Sequence, residues 1–184
     1  ATGRNFASAK KHTNGAKFAN YLISDGGACI YIPDTEEGLV KNIIPKQKAE
    51  EVLSYWNEDV EFLQMTTKEE YVKYTGEEKQ DFLSRIGEIA HIAIKMRDNA
   101  KTEELYEKLE HGFSDLNVLL MQDSFKEDKS IVLTLKGVSK YSAIQKLATS
   151  LGIENDEIIA FGDSPNDIDM LKGCGFGVAV KNAL

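Results

Sequence analysis

The amino-acid sequence predicts an α/β protein, a parallel-sheet core built from both ends of the chain and interrupted by an inserted α+β domain. Three observations carry that prediction. Residues 140–151 read as an amphipathic helix, with Ala143, Ile144, Leu147, Ala148 and Leu151 on one stripe and Gly152 just beyond as a stop. Ile158-Ile159-Ala160-Phe161 follows as a continuous apolar run, the pattern of a strand buried on both faces of a parallel sheet. Between the two ends lies a group of strand-like and helix-like segments large enough to close its own sheet. The expected division is 1–38 plus 137–184 for the core and 39–136 for the insertion.

In order along the chain, residues 5–18 are compatible with a helix but weakly patterned. Tyr21-Leu22-Ile23 is a short apolar run that breaks at Ser24-Asp25-Gly26-Gly27, and residues 28–32 form a strand ended by Pro33-Asp34. Pro45 opens a helix with Ala49, Val52, Leu53 and Trp56 on one side. Residues 60–65 resemble a strand, and the charged stretch 67–87 reads as helical. A second strand is expected over 91–96, then a helix over 101–111 with Leu105 and Leu109 at i,i+4 spacing. Strands over 117–121 and 130–135 complete an insertion of four strands and about three helices, covered by helices on one face.

Composition narrows the function without deciding it. The chain has 184 residues, 42% of them hydrophobic and 28% charged, as expected of a globular protein able to bury a core. A net charge of −8 argues against nucleic acid as a general partner, because phosphate backbones reward clustered Lys and Arg. No run approaches the apolar length of a membrane helix, and the opening ATGRNFASAKKH lacks the apolar core of a signal peptide. Cys29 and Cys174 match no metal spacing and read as reduced thiols of a cytoplasmic protein. His12, His91 and His111 form no ligand cluster. The chain begins without an initiator Met and stops just after a strand-like run, so it reads as a piece of a longer protein.

Three groups converge on the carboxyl edge of the core sheet, where open α/β sheets bind ligands. Asp163 stands just past the buried strand, and Asn166, Asp167 and Asp169 follow in the next short helix. Hard cations such as Mg²⁺ prefer such oxygens, with few protein ligands and retained waters. Thr2-Gly3-Arg4 offers a hydroxyl, backbone N–H groups and a guanidinium to an anion. Lys140 opens its helix, where a cation opposes the helix dipole and is better explained by a ligand. Each has a plainer reading as well: a helix cap, an ordinary turn and a surface lysine.

The order ATGR, a long insertion, KGVSK before a helix, then GDSPNDIDML resembles the haloacid dehalogenase superfamily of phosphatases, and within it the Cof-type branch with a large inserted cap. The resemblance covers nearly the whole chain, and GDSPND is its specific part. It implies a Rossmann-like core, Mg²⁺ as cofactor and a small phosphorylated metabolite, such as a sugar phosphate, as substrate. Thr2 then corresponds to the hydroxyl that holds the phosphoryl group, with Gly3 and Arg4 beside it. Lys140 corresponds to the lysine that neutralises charge and Asp163 to a magnesium ligand; Asn166, on the substrate side, and Asp167, the second carboxylate of the metal site, correspond to residues that orient the lysine and the metal's waters. The family's nucleophile, in a DxD motif upstream of ATGR, has no counterpart here, and Asp25 lacks the second Asp. The chain alone is therefore expected to be inactive, its aspartyl-phosphate nucleophile lying elsewhere. Tyr141 stands where a small residue is common and is expected to narrow the pocket beside Lys140. A non-catalytic binding protein and a phosphotransferase or mutase remain the alternative readings.

Overall fold

The computed structural model describes residues 1–13, 19–122 and 128–183. In chain order the elements are α1 (Phe6–His12), β1 (Leu22–Ser24), β2 (Cys29–Ile32), β3 (Glu37–Lys41), α2 (Lys46–Leu53), β4 (Val60–Thr66), β5 (Tyr71–Tyr74), α3 (Lys79–Arg85), β6 (His91–Met96), α4 (Asn99–Gly112), β7 (Leu116–Gln122), β8 (Lys129–Leu135), α5 (Lys140–Leu151), β9 (Ile159–Gly162), α6 (Ile168–Gly173) and β10 (Phe176–Ala179). Contacts divide the chain into two compact units. Ala1–Lys41 and Val138–Leu184 form the first, and Asn42–Gly137 forms the second.

In the first unit, α1 starts where the Asn5 side chain accepts the Ser8 N–H, and it buries Phe6 and Ala9. Residues 14–18, the remainder of the helix-compatible stretch, lie outside the described residues. Strands β1, β2 and β3 form an antiparallel sheet in that order. Strand β3 lies beyond Pro33-Asp34, where the residue pattern predicts the end of this region. The chain turns at Glu36, which holds φ 58°, and returns as an edge strand on which only Val40 is half-buried. So weak an apolar pattern left no strand signal. The 38/39 division falls inside this strand, whereas the contacts keep β3 with the first unit through Lys41.

Strands β9 and β10 pair in parallel, with Phe176 opposite Ile159 and Val178 opposite Phe161. One face of the pair carries buried Ala160, which packs with Met170 and Cys174. On the other, Ile159, Phe161 and Phe176 remain 62%, 64% and 64% exposed. The expected burial on both faces is therefore not met in this chain: its continuous apolar run is covered on one side only. An apolar face of this kind promotes self-association. Replacing Phe161 and Phe176 together by Ser is expected to lower light scattering of the 184-residue chain at a given concentration. Unchanged scattering would show that this face does not drive association.

The second unit holds a five-stranded antiparallel sheet in the order β5-β4-β6-β8-β7 among the described residues. Leu63 and Met65, Ile92 and Ile94, and Ile131 and Leu133 alternate toward one face. There they pack with Val52 and Leu53 of α2, Phe82 of α3, and Leu105 and Leu109 of α4. Burying each such side chain contributes about 1.5–3 kcal/mol of transfer free energy. The stretch 67–87 is not one helix. Tyr71-Val72-Lys73-Tyr74 is mostly aromatic and β-branched, turns Val72 and Tyr74 to its more buried face, and extends the sheet beside β4. Only Lys79–Arg85 is helical, and the sheet gains a fifth strand.

Candidate functional site

Lys140 is the first residue of α5, and its backbone is fixed by a reciprocal cap. The Ser139 hydroxyl accepts the Ser142 N–H at 3.1 Å, and the Ser142 hydroxyl accepts the Ser139 N–H at 2.9 Å. The side chain of Lys140 is 9% exposed, and its Nζ donates to Asp167 Oδ1 at 2.5 Å and to Asn166 Oδ1 at 3.4 Å. Asp167 closes the turn that follows β9. Its Oδ2 accepts the N–H groups of Asp163 and Ser164, each at 3.1 Å. Gly162 is required by this arrangement, since a Cβ there would stand 2.6 Å from Asp167 Cβ. Burial by itself would raise the Asp167 pKa. The Lys140 hydrogen bond, then the Asp163 N–H and the charge of Lys140, outweigh burial and hold the carboxyl below its ordinary value.

The Thr2-Gly3-Arg4 segment is pinned along its backbone. Thr2 N–H donates to Ile23 O at 2.9 Å, Gly26 N–H to Thr2 O at 3.0 Å and Asp25 N–H to Arg4 O at 2.8 Å. Thr2 Oγ1 accepts the Arg4 N–H at 3.2 Å, which leaves its own O–H to donate elsewhere. A Cβ on Gly3 would meet nothing within 4 Å, so the backbone there is open to an approaching group. Arg4 is exposed.

Lys140, Asn166 and Asp167 are thus in direct contact, and Asp163 joins them through its backbone N–H. Thr2, Gly3 and Arg4 are linked to this group through the 23–27 turn rather than by side-chain contact. The two carboxylates predicted as metal ligands differ in kind. Asp163 is exposed, and its carboxylate makes no hydrogen bond or ion pair among the described residues. Asp167 is 4% exposed and has both oxygens engaged. Direct ligation by Asp167 would compete with those bonds, so of its two expected roles, metal-site carboxylate and orienter of the lysine, the contacts present are those of the second. Among the described residues, no three His, Cys, Asp or Glu side chains gather closely enough to hold a metal ion. The donors still suit Mg²⁺, which takes one or two carboxylates and keeps its waters.

Tyr141 does not flank Lys140 as expected. Its ring packs against α6 so closely that a Cβ on Gly173 would lie 2.4 Å from it, and it joins Ala160, Met170 and Cys174 in a small core. The 24–27 turn, which the sequence pattern marks only as a strand end, is part of the site. Its signal was the Gly26-Gly27 pair: a Cβ on Gly27 would lie 2.1 Å from Ser139 O, directly at the start of α5.

With this fold and this lysine–carboxylate loop, the chain belongs to the haloacid dehalogenase-like hydrolase family, which it matches over residues 1–184. A haloacid dehalogenase-like hydrolase from Bacteroides thetaiotaomicron shares the fold with a TM-score of 0.80 at 21% identity, over 100% of this chain and 75% of that one. The phosphoglycolate phosphatase of Methanoculleus marisnigri is 50% identical over 54 residues, 29% of this chain and 23% of that protein. The 5-amino-6-(5-phospho-D-ribitylamino)uracil phosphatase YbjI of Escherichia coli is 28% identical over 123 residues, 60% of this chain and 45% of that protein. The chain therefore spans less than half the length of these two curated relatives. Among the described residues, no helix is long and apolar enough to cross a membrane.

Proposed function

We propose that the complete protein is a Cof-type, magnesium-dependent phosphatase of small phosphorylated metabolites, sugar phosphates among them, working in the cytoplasm. The observation that carries this reading is Lys140, nearly buried and held by Asp167, which is itself held by the Asp163 and Ser164 N–H groups. The phosphatase names of the two curated relatives support it. Phosphoryl transfer demands mainly positioning and charge stabilisation, which a preorganised cation supplies at little reorganisation cost. Lys140 places its ammonium where phosphoryl and nucleophile charge would meet. Thr2 donates its hydroxyl proton to a phosphoryl oxygen, the open backbone at Gly3 allows close approach, and Arg4 pairs with the outer anion. Asn166 and Asp167 keep the lysine aimed.

Asp163 would hold Mg²⁺, which when bound supplies further neutralisation of phosphoryl charge. The attacking carboxylate of an aspartyl-phosphate route has no DxD counterpart in these 184 residues, so turnover is assigned to the complete protein. In this reading residues 42–137 are the cap that excludes water and reads the leaving group. The test is phosphate release from a generic aryl phosphate and a panel of phosphorylated metabolites, with and without Mg²⁺. Release that EDTA abolishes and Mg²⁺ restores is expected. No release from any donor, or release indifferent to EDTA, would overturn the reading.

A further inference from the structure

The turn Ser24-Asp25-Gly26-Gly27 lies between the two arms of the proposed site, and its chemistry is unusual for a connecting turn. Three successive residues, Asp25, Gly26 and Gly27, hold φ of 53°, 67° and 107°. Asp25 is the one with a side chain, and left-handed backbone costs an L residue energy unless surrounding contacts fix it. It is also 1% exposed, beside a Ser24 that is 0% exposed. The Ser24 hydroxyl donates to Asp25 Oδ2 at 2.7 Å, which satisfies part of a carboxylate that burial would otherwise penalise.

Both sides of this turn touch the site. On one, the N–H groups of Asp25 and Gly26 donate to Arg4 O and Thr2 O. On the other, Gly27 packs so close to Ser139 that no side chain fits between them, at the residue that caps α5 and precedes Lys140. The turn therefore sets the spacing between the hydroxyl arm at Thr2 and the cationic arm at Lys140.

Resting on the phosphatase reading above, we propose that Asp25 is a positioning residue: its buried carboxylate, braced by Ser24, locks this turn and thereby fixes the separation of Thr2 and Lys140 for a phosphoryl group. It acts through its shape and hydrogen bonds rather than by attacking phosphorus or moving a proton. Asn shares both the tolerance of left-handed backbone and the ability to accept from Ser24. Ala shares neither.

The experiment compares Asp25→Asn, Asp25→Ala and Ser24→Ala in the complete protein. The readouts are kcat, KM, the pH–rate profile and inhibition by inorganic phosphate, with circular dichroism as a check on folding. A misplacement of about 1 Å can cost on the order of 100-fold in rate. Asp25→Ala is expected to lose at least about 10-fold in kcat and to bind phosphate correspondingly more weakly, with folding retained. Asp25→Asn is expected to stay within about threefold of wild type, with a superimposable pH profile. A folded Asp25→Ala with wild-type kcat and phosphate inhibition would overturn the proposal. So would an Asp25→Asn as impaired as Asp25→Ala, since the charge itself would then be required. If Asp25→Ala does not fold, Ser24→Ala decides: a severalfold fall in kcat supports the brace, and unchanged kinetics overturn it. An inactive wild-type protein would instead be a failure of the phosphatase reading, and phosphate binding by the same variants would still test the spacing.

Discussion

Lys140→Ala is expected to remove activity from the complete protein and stability from this chain through one broken contact. In catalysis it deletes the cation aimed at the transferring group, and loss of one such preorganised donor lowers kcat by on the order of 10²–10³-fold. In folding it leaves Asp167 facing the empty place of its partner, although that carboxylate is only 5% exposed. Breaking a buried pair from one side costs about 3–5 kcal/mol, because the orphaned charge stays buried. Equilibrium unfolding in urea should show a lower midpoint for the 184-residue chain. Adding Asp167→Leu should recover part of the loss, because the double variant buries no uncompensated charge. Acidification adds a signed check. The folded pKa of Asp167 lies below its ordinary value, so the stability it contributes is present above about pH 4 and lost as pH falls through the folded value. In Lys140→Ala the largest lowering influence is gone, and that loss on acidification should vanish or reverse. The stability gap between wild type and variant should therefore narrow between about pH 6 and pH 3. A constant gap would mean that the pair is not its source.

How much of this was legible in the sequence follows from how each residue acts. Lys140 and the Gly162–Asp167 loop were readable because a helix stripe, a buried-strand run and a dense oxygen cluster are all local patterns. The helices over 46–53, 99–112 and 140–151 were readable for the same reason: their apolar spacing survives in one dimension. The misses are non-local. Strand β5 sits in a charged stretch, and its identity comes from pairing with β4 rather than from its own composition. Strand β3 has almost no buried side, so period-2 alternation had little to show. The expected burial of Ile159 and Phe161 depended on what lies across the sheet, which no pattern within the strand reports. Tyr141 was placed by its position along the chain, and which of the two roles expected of Asp167 its contacts serve depends on direction in space. Tyr141 turns toward α6, and Asp167 turns both oxygens inward. Asp25 was legible only as an unlikely nucleophile, because backbone angle and burial, which give it another meaning, are absent from a sequence.

Asp163→Ala and Asp167→Asn should separate the metal's carboxylate from the lysine's, although the two residues lie only four apart. Asp163 is exposed and its carboxylate holds nothing among the described residues, so its removal should shift stability by less than about 0.5 kcal/mol. In the complete protein the same change should abolish the rise in Tm that MgCl₂ and inorganic phosphate together produce, and lower kcat by at least about 100-fold. Asp167→Asn should do the reverse first, unfolding the chain more easily at any Mg²⁺ concentration. An amide with its oxygen toward the Asp163 and Ser164 N–H groups turns its NH₂ against the Lys140 ammonium, donor facing donor. Flipped over, it leaves both N–H groups without an acceptor. Either arrangement loses hydrogen bonds to a charged group worth about 1.5–3 kcal/mol each, so a loss of about 2–4 kcal/mol is expected. Thermal unfolding with and without Mg²⁺ and phosphate reads both variants in one experiment. An Asp163→Ala protein that still gains Tm from Mg²⁺ would remove Asp163 from the metal site. An Asp167→Asn protein as stable as wild type would mean that the short contact with Lys140 contributes nothing to the fold, and the preorganised lysine on which the phosphatase reading rests would lose its physical basis.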